Sequence, residues 1–180
     1  MKNLLFLLIT TLLFASCKTM HEAKAQPQAS TQQSMNQEVK PVFGSSYLIG
    51  KVNREGFMKE NYNDWFQASY NEYEVDETTL AVLQGKLENV EVKVFMGTWC
   101  PDSQREVPHF YKILDDLQFD ENQLTVISMD KYKETPEEYE TGLDIQRVPT
   151  IIFYKGDQEM GRIVESPNIS LEKDMTEIVK

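Results

Sequence analysis

The feature that most limits the fold begins at residue 90. "VEVKVFMG" (90–97) alternates and then fills with apolar side chains, as a strand does. Only Thr98-Trp99-Cys100 separate it from "PDSQREVPHFYKILDDL" (101–117), where Val107, Phe110, Tyr111 and Leu114 mark the inner side of a helix. "LTVISMD" (124–130) is a second strand. Two strands joined through a helix of this length pair in parallel by a right-handed crossover, not as a hairpin. A short helix is expected over "TPEEYETGL" (135–143), with its proline in the first turn. "TIIFYKGDQEMGRIVE" (150–165) reads as two strands around a turn at Lys155-Gly156-Asp157-Gln158. "ISLEKDMTEIVK" (169–180) closes the chain as a helix. The expected class is α/β, a βαβ unit followed by a ββα unit.

Upstream, residues 46–52 read as a short strand, and Asn53 as the cap of one helical stretch, "REGFMKENYNDWFQASYNEY" (54–73). Phe57, Tyr62, Trp65, Phe66, Tyr70 and Tyr73 recur in it at mixed spacings of three and four. Core packing is the preferred explanation, and a cofactor or peptide groove the minority one. Asp76 caps "ETTLAVLQGKL" (77–87), with Leu80, Leu83 and Leu87 on one face. The domain is therefore expected over 42–180, with a mostly helical N-terminal extension at 42–89 and a core at 90–180.

The chain carries 29 acidic against 18 basic residues, a formal net charge of -11. Such a surface repels nucleic acid phosphates and anionic lipid alike, so no nucleic acid partner is expected. With only Cys17 and Cys100, a disulfide scaffold is excluded and each thiol needs its own explanation.

Residues 1–17 read "MKNLLFLLITTLLFASC". Lys2 precedes an apolar stretch of eleven residues (4–14), broken only by Thr10 and Thr11, too short to span a bilayer of about 30 Å. It fits a secretory signal peptide, residues 1–16. Ala15 and Ser16 lead directly into Cys17, an arrangement that resembles the lipobox of bacterial lipoproteins, with Phe14 where the pattern carries an aliphatic residue. The resemblance implies lipidation of Cys17 and a place in the bacterial cell envelope, outside the cytoplasm; the alternative is cleavage near Ala15, leaving a free thiol. Residues 17–41, rich in Gln, Ser, Thr and Ala, then read as lipidated cysteine and flexible tether. His21 lies within it and is not expected to bind metal.

Cys100 ends the strand and begins the helix, where the unpaired N–H groups of a first turn and the helix dipole favour a thiolate. Pro101 takes the first helical position, Trp99 flanks the thiol, and Ser103 lies one turn on, on the same side. "TWCPDS" is similar to the active site of thioredoxins, with Ser103 in place of the second cysteine. Pro108 matches the proline within that helix, and "RVPTIIFYKGD" matches the loop and strand that carry the family's cis-proline, at Pro149. The resemblance covers residues 90–180 and implies a thioredoxin-like fold, with Cys100 as nucleophile and Ser103 as a hydroxyl that stabilises it. It implies substrate contacts from Trp99, Pro101, Asp102, Val148, Pro149 and Thr150. Val94 stands where many thioredoxins bury an Asp that serves the second thiol.

A hydroxyl cannot resolve a mixed disulfide, so an external thiol must complete turnover. The expected function is monothiol thiol–disulfide exchange with protein or low-molecular-weight thiols and disulfides, on a protein bound to a membrane through its lipid. The alternative is a redox-inactive thioredoxin-fold binding module for a peptide or partner protein. No cofactor is called for, and with no second cysteine or close histidine a metal or iron–sulfur centre is not expected. Arg105 and Arg147 read as solvated arginines rather than carboxylate clamps. His109 stands nine residues beyond Cys100, about 13 Å along a helix, too far for its general base.

Overall fold

A computed structural model of the chain describes residues 35–180. The expected signal peptide, Cys17, His21 and the expected tether up to residue 34 lie outside the described residues. Among the described residues no helix is long and apolar enough to cross a membrane.

The described chain runs β1 (Gln37–Val39), β2 (Tyr47–Val52), α1 (Arg54–Phe57), α2 (Glu60–Glu72), α3 (Glu77–Leu83), β3 (Glu91–Met96) and α4 (Pro101–Asp116). A 3-10 turn at Glu121–Gln123 leads into β4 (Leu124–Ser128), β5 (Thr150–Lys155), β6 (Gln158–Val164) and α5 (Leu171–Ile178). The six strands form one sheet in the order β1-β2-β4-β3-β5-β6. β3 pairs in parallel with β4, Val94 opposite Val126, and α4 supplies the crossover. β3 pairs antiparallel with β5, Val94 opposite Ile151, and β5 with β6 as a hairpin. This is the expected α/β class with a thioredoxin-like arrangement and a helical lead.

Alternation along the strands builds a core on each face of the sheet. Val92, Val94, Val126, Ile151 and Phe153 join a large cluster with side chains of α2, α4 and α5. Phe95, Ile127 and Ile152 join a smaller one with Cys100, Met129, Ile145 and Val148. The aromatic lead is core: Phe57 stacks on Phe66 at 5.0 Å, and Tyr111 meets both edge-on. Val94 is buried in the large cluster, where an unpaired carboxyl would be costly.

Four expectations change. The tether expected up to residue 41 does not hold over its last residues: Gln37–Val39 pairs with β2, and Glu38 accepts hydrogen bonds from Asn61 Nδ2 (3.0 Å) and Tyr62 Oη (2.8 Å). The helix expected over 54–73 is two helices, broken at Met58-Lys59, with Asn53 capping only the first. α3, capped by Asp76 as expected, stops at Leu83; Gly85 follows with φ +76°, a left-handed conformation that ends the helix. No helix forms over 135–143. Thr135 Oγ1 donates to Glu140 (2.6 Å) and accepts from Tyr139 N–H (3.0 Å), and Glu138 and Gly142 adopt positive φ. Side-chain bonding of that kind competes with the helical ladder.

Candidate active site at the start of α4

Cys100 is the N-cap of α4, with extended backbone (φ -93°, ψ 122°) and Pro101 at the first helical position. Cys100 N–H donates to Gly97 O (2.9 Å), and Cys100 O accepts from Gln104 N–H (2.9 Å), so the junction is fixed from both sides. The thiol is buried and donates to Val148 O at 3.3 Å. The Val148-Pro149 bond is cis. The strand–helix junction and the proline loop, 48 residues apart in sequence, thus meet at the sulfur. The cap side chain makes no hydrogen bond to the first turn of α4. The anticipated sulfur contact with the first-turn N–H groups is replaced, in the thiol form, by the bond to Val148.

Ser103 does not bond to the sulfur. It is fully buried, and its Oγ accepts from Gly97 N–H at 3.2 Å, tying the end of β3 to the first turn of α4. Trp99 lies beside Cys100 and packs on the small core cluster. Its Nε1–H donates to Met129 O at 2.8 Å, and its indole lies against Gly97. A Cβ on Gly97 would sit 2.6 Å from Trp99 Cε2, inside any real contact distance.

Asp102 is held by Arg105 (2.8 Å), which also grips Glu106 (2.8 Å), so its carboxylate is neutralised on the surface of α4. Burial of Glu106 raises its pKa above the usual carboxylate value, against the lowering effect of Arg105. Thr150 is buried, and its Oγ1 donates to Arg147 O at 2.7 Å; Pro149 O accepts from Glu165 N–H at 2.7 Å. Both bonds brace the proline loop. Arg147 itself pairs with Glu165. Of the residues read as the site, Trp99, Cys100 and Val148 pack in one cluster, Pro149 follows Val148 across the cis bond and Pro101 opens α4, whereas the side chains of Asp102, Ser103 and Thr150 engage neighbours instead. His109 stacks on Tyr73 at 4.2 Å, away from the thiol.

Three supporting residues escape a reading of the sequence. Gly97 makes room for the indole. Thr98 accepts Leu48 N–H at its Oγ1 (3.0 Å), and Gln104 Nε2 donates to Thr98 O (2.7 Å). Gly97, beside a tryptophan and before a helix start, is the one with a signal, since glycine permits such close approach. Among the described residues no group of three or more His, Cys, Asp or Glu side chains could hold a metal ion.

A buried thiol at a helix start, against a cis-proline loop, can attack a disulfide sulfur brought to it; nothing else in the cluster is nucleophilic. A thioredoxin family model matches residues 55–177. No curated protein matches the chain. Among solved structures, a protein of unknown function, PA1234 from Pseudomonas aeruginosa, matches with a TM-score of 0.47 and 14% identity, over 65% of this chain and 76% of that one. The family match takes in β3, Cys100, the proline loop and all but the last residue of α5, and by it the chain belongs to the thioredoxin family.

Proposed function

We propose that the protein is a monothiol exchange protein of the bacterial cell envelope, anchored by lipid on Cys17 and acting through Cys100. The observation that carries this reading is the contact of the Cys100 sulfur with Val148 O of the cis Val148-Pro149 bend, beside Ser103 where a second thiol would stand. Cys100, as thiolate, attacks one sulfur of a partner disulfide. A sulfur–sulfur bond forms between Cys100 and the partner as the partner's own breaks, and the departing thiolate takes up the proton. An external thiolate then attacks the mixed disulfide and returns Cys100 as thiolate. The Ser103 hydroxyl cannot serve in that second step.

The full chain carrying Cys17→Ser, incubated with oxidised glutathione, is expected to form an adduct at Cys100 that persists until a reductant is added. Absence of any adduct in a folded protein would reject exchange. Lipid on Cys17 is tested separately, by mass spectrometry of the protein from bacterial membranes. A second reading, a redox-inactive binding module, draws support from the burial of Cys100 and its bonded thiol. Failure of adduct formation would favour it.

A further inference from the structure

The loop from β1 to β2 and the turn after β4 carry the three most exposed large apolar side chains among the described residues: Phe43 (91%), Val42 (90%) and Tyr132 (83%). Phe43 and Tyr132 line one hollow of about 200 Å³, together with Pro41 and Gly44. Large apolar side chains offered together to water mark a contact surface. Tyr132 is firmly mounted, since Asp130 Oδ1 accepts from the N–H groups of Tyr132 (2.8 Å) and Glu134 (3.0 Å). The charges nearby cancel. Asp130 and Lys131 both line the hollow, Lys40 pairs with Glu38 at 3.5 Å, and Lys133 adjoins Glu134. Attraction to this surface therefore comes from apolar burial and not from charge.

The size of the patch limits what can cover it. Three such side chains bury roughly 500–600 Å² when covered, less than the about 800 Å² per partner of a stable protein interface. So small a contact holds only where something else keeps the two surfaces together. The chain itself offers that. Residues 18–34 join Cys17 to the domain and span no more than about 60 Å even fully extended. β1 follows, and it ends two residues before Pro41.

A bilayer surface suits a patch of this chemistry. Phenyl and isopropyl groups enter the boundary between headgroups and acyl chains by apolar burial, and a tyrosine sits there with its ring sunk and its hydroxyl wet. Lys131, on its long stem, keeps its charge in water. The net charge of -11 opposes anionic lipid, so uncharged headgroups are favoured. We propose that Val42, Phe43 and Tyr132 dip into the interfacial layer of a bilayer with zwitterionic headgroups and so dock the domain on the membrane through this patch. The inference rests on the lipid anchor proposed at Cys17 for its setting alone.

The test uses the full chain carrying Cys17→Ser and Cys100→Ser, with a hexahistidine tag at its N-terminus. Nickel-chelating lipid in phosphatidylcholine vesicles then holds it to a bilayer whether or not Cys17 is ever lipidated. A nitrobenzoxadiazole probe is placed through Phe43→Cys, through Tyr132→Cys or, on the turn between β5 and β6, through Asp157→Cys. At 43 and 132 its emission is expected to rise at least about two-fold on the vesicles, and to be quenched by phosphatidylcholine spin-labelled near the headgroup. At 157 neither change is expected. Val42→Asp/Phe43→Asp, at two exposed positions where the fold is not at risk, should abolish the rise at 132. High salt should leave that rise unchanged, because no net charge drives it. Probes at 43 and 132 that behave like the one at 157 overturn the proposal. So does a rise lost in high salt, which would assign the contact to charge. A rise that appears without vesicles and grows with protein concentration would assign the patch to a second copy of the chain, and also overturns it. A salt-resistant rise confined to 43 and 132 upholds the patch even if Cys17 proves to carry no lipid.

Discussion

Replacing Gly97 by alanine puts one methyl group against the indole that covers it. The added carbon would lie 2.6 Å from Trp99 Cε2, 2.7 Å from Nε1 and 2.9 Å from Cζ2. Backbone strain does not enter, since Gly97 has no positive φ. The indole must therefore move, and its bond to Met129 O (2.8 Å) is lost or lengthened. Overpacking of this kind costs about 1–3 kcal/mol. Loss of the hydrogen bond, with a buried carbonyl left unpaired, adds about 1 kcal/mol. The expected destabilisation is thus about 2–4 kcal/mol, which in a chain of this size lowers Tm by about 5–15 °C. Urea denaturation followed by far-ultraviolet circular dichroism gives the stability, and a red shift of Trp emission reports the displaced indole. In a Trp99→Phe background the same substitution should cost at least about 1 kcal/mol less, because the ring that clashes is gone. Full stability and unchanged emission in Gly97→Ala would refute the reasoning, and so would an equal cost in both backgrounds.

Ser103→Ala strands the buried Gly97 N–H and should cost about 1–3 kcal/mol in denaturant unfolding. Ser103→Cys should confer dithiol reductase activity on insulin if the junction geometry serves exchange; a folded variant with none would count against the proposed chemistry. Glu172, buried on α5, accepts from Tyr73 Oη (3.0 and 2.9 Å) and Asp76 N–H (3.1 Å), so Tyr73→Phe should destabilise by about 1–3 kcal/mol in thermal unfolding. His109 is kept neutral by burial first, with Arg105 and Lys112 adding to the effect and Glu172 opposing it, so its pKa falls from the ordinary 6.5 to about 4. Between those values the unfolded chain binds a proton that the folded chain refuses, so stability falls as pH drops from 6.5 towards 4. Allowing for partial exposure, this loss is roughly 1–2 kcal/mol. His109→Phe should flatten that part of the pH profile, and the His109 imidazole should titrate in NMR well below pH 6.

The parallel β3–α4–β4 unit was legible because its apolar period switches from strand to helix and back within forty residues. Asn53 and Asp76 were legible as caps because their side chains act on the next two or three residues. The failures involve partners distant in sequence or a local competitor. β1 is three residues long and exists through β2 and through Asn61 and Tyr62. Nothing in "FMKE" marks the break between α1 and α2, which carries neither proline nor a left-handed residue. Over 135–143, Thr135 and the left-handed Glu138 outweigh a favourable first-turn proline. At the site, Cys100 and the proline loop could be read from motif, because their spacing alone brings them together in this fold. The direction of the Ser103 hydroxyl could not: Gly97 N–H is six residues back and lies beside it only once β3 and α4 are built.

The short outermost strand β1 has a mechanical consequence. A pull on the chain from before residue 35 meets first Asn36, bonded to Lys51 O, to Asn53 and to Lys59 Nζ, and then the three residue pairs of β1 with β2 and the Glu38 hook onto α2. Two further strands, β2 and β4, separate that point from β3 and the thiol. Under load from that side, this margin lies in the path of the force ahead of the thiol-bearing junction.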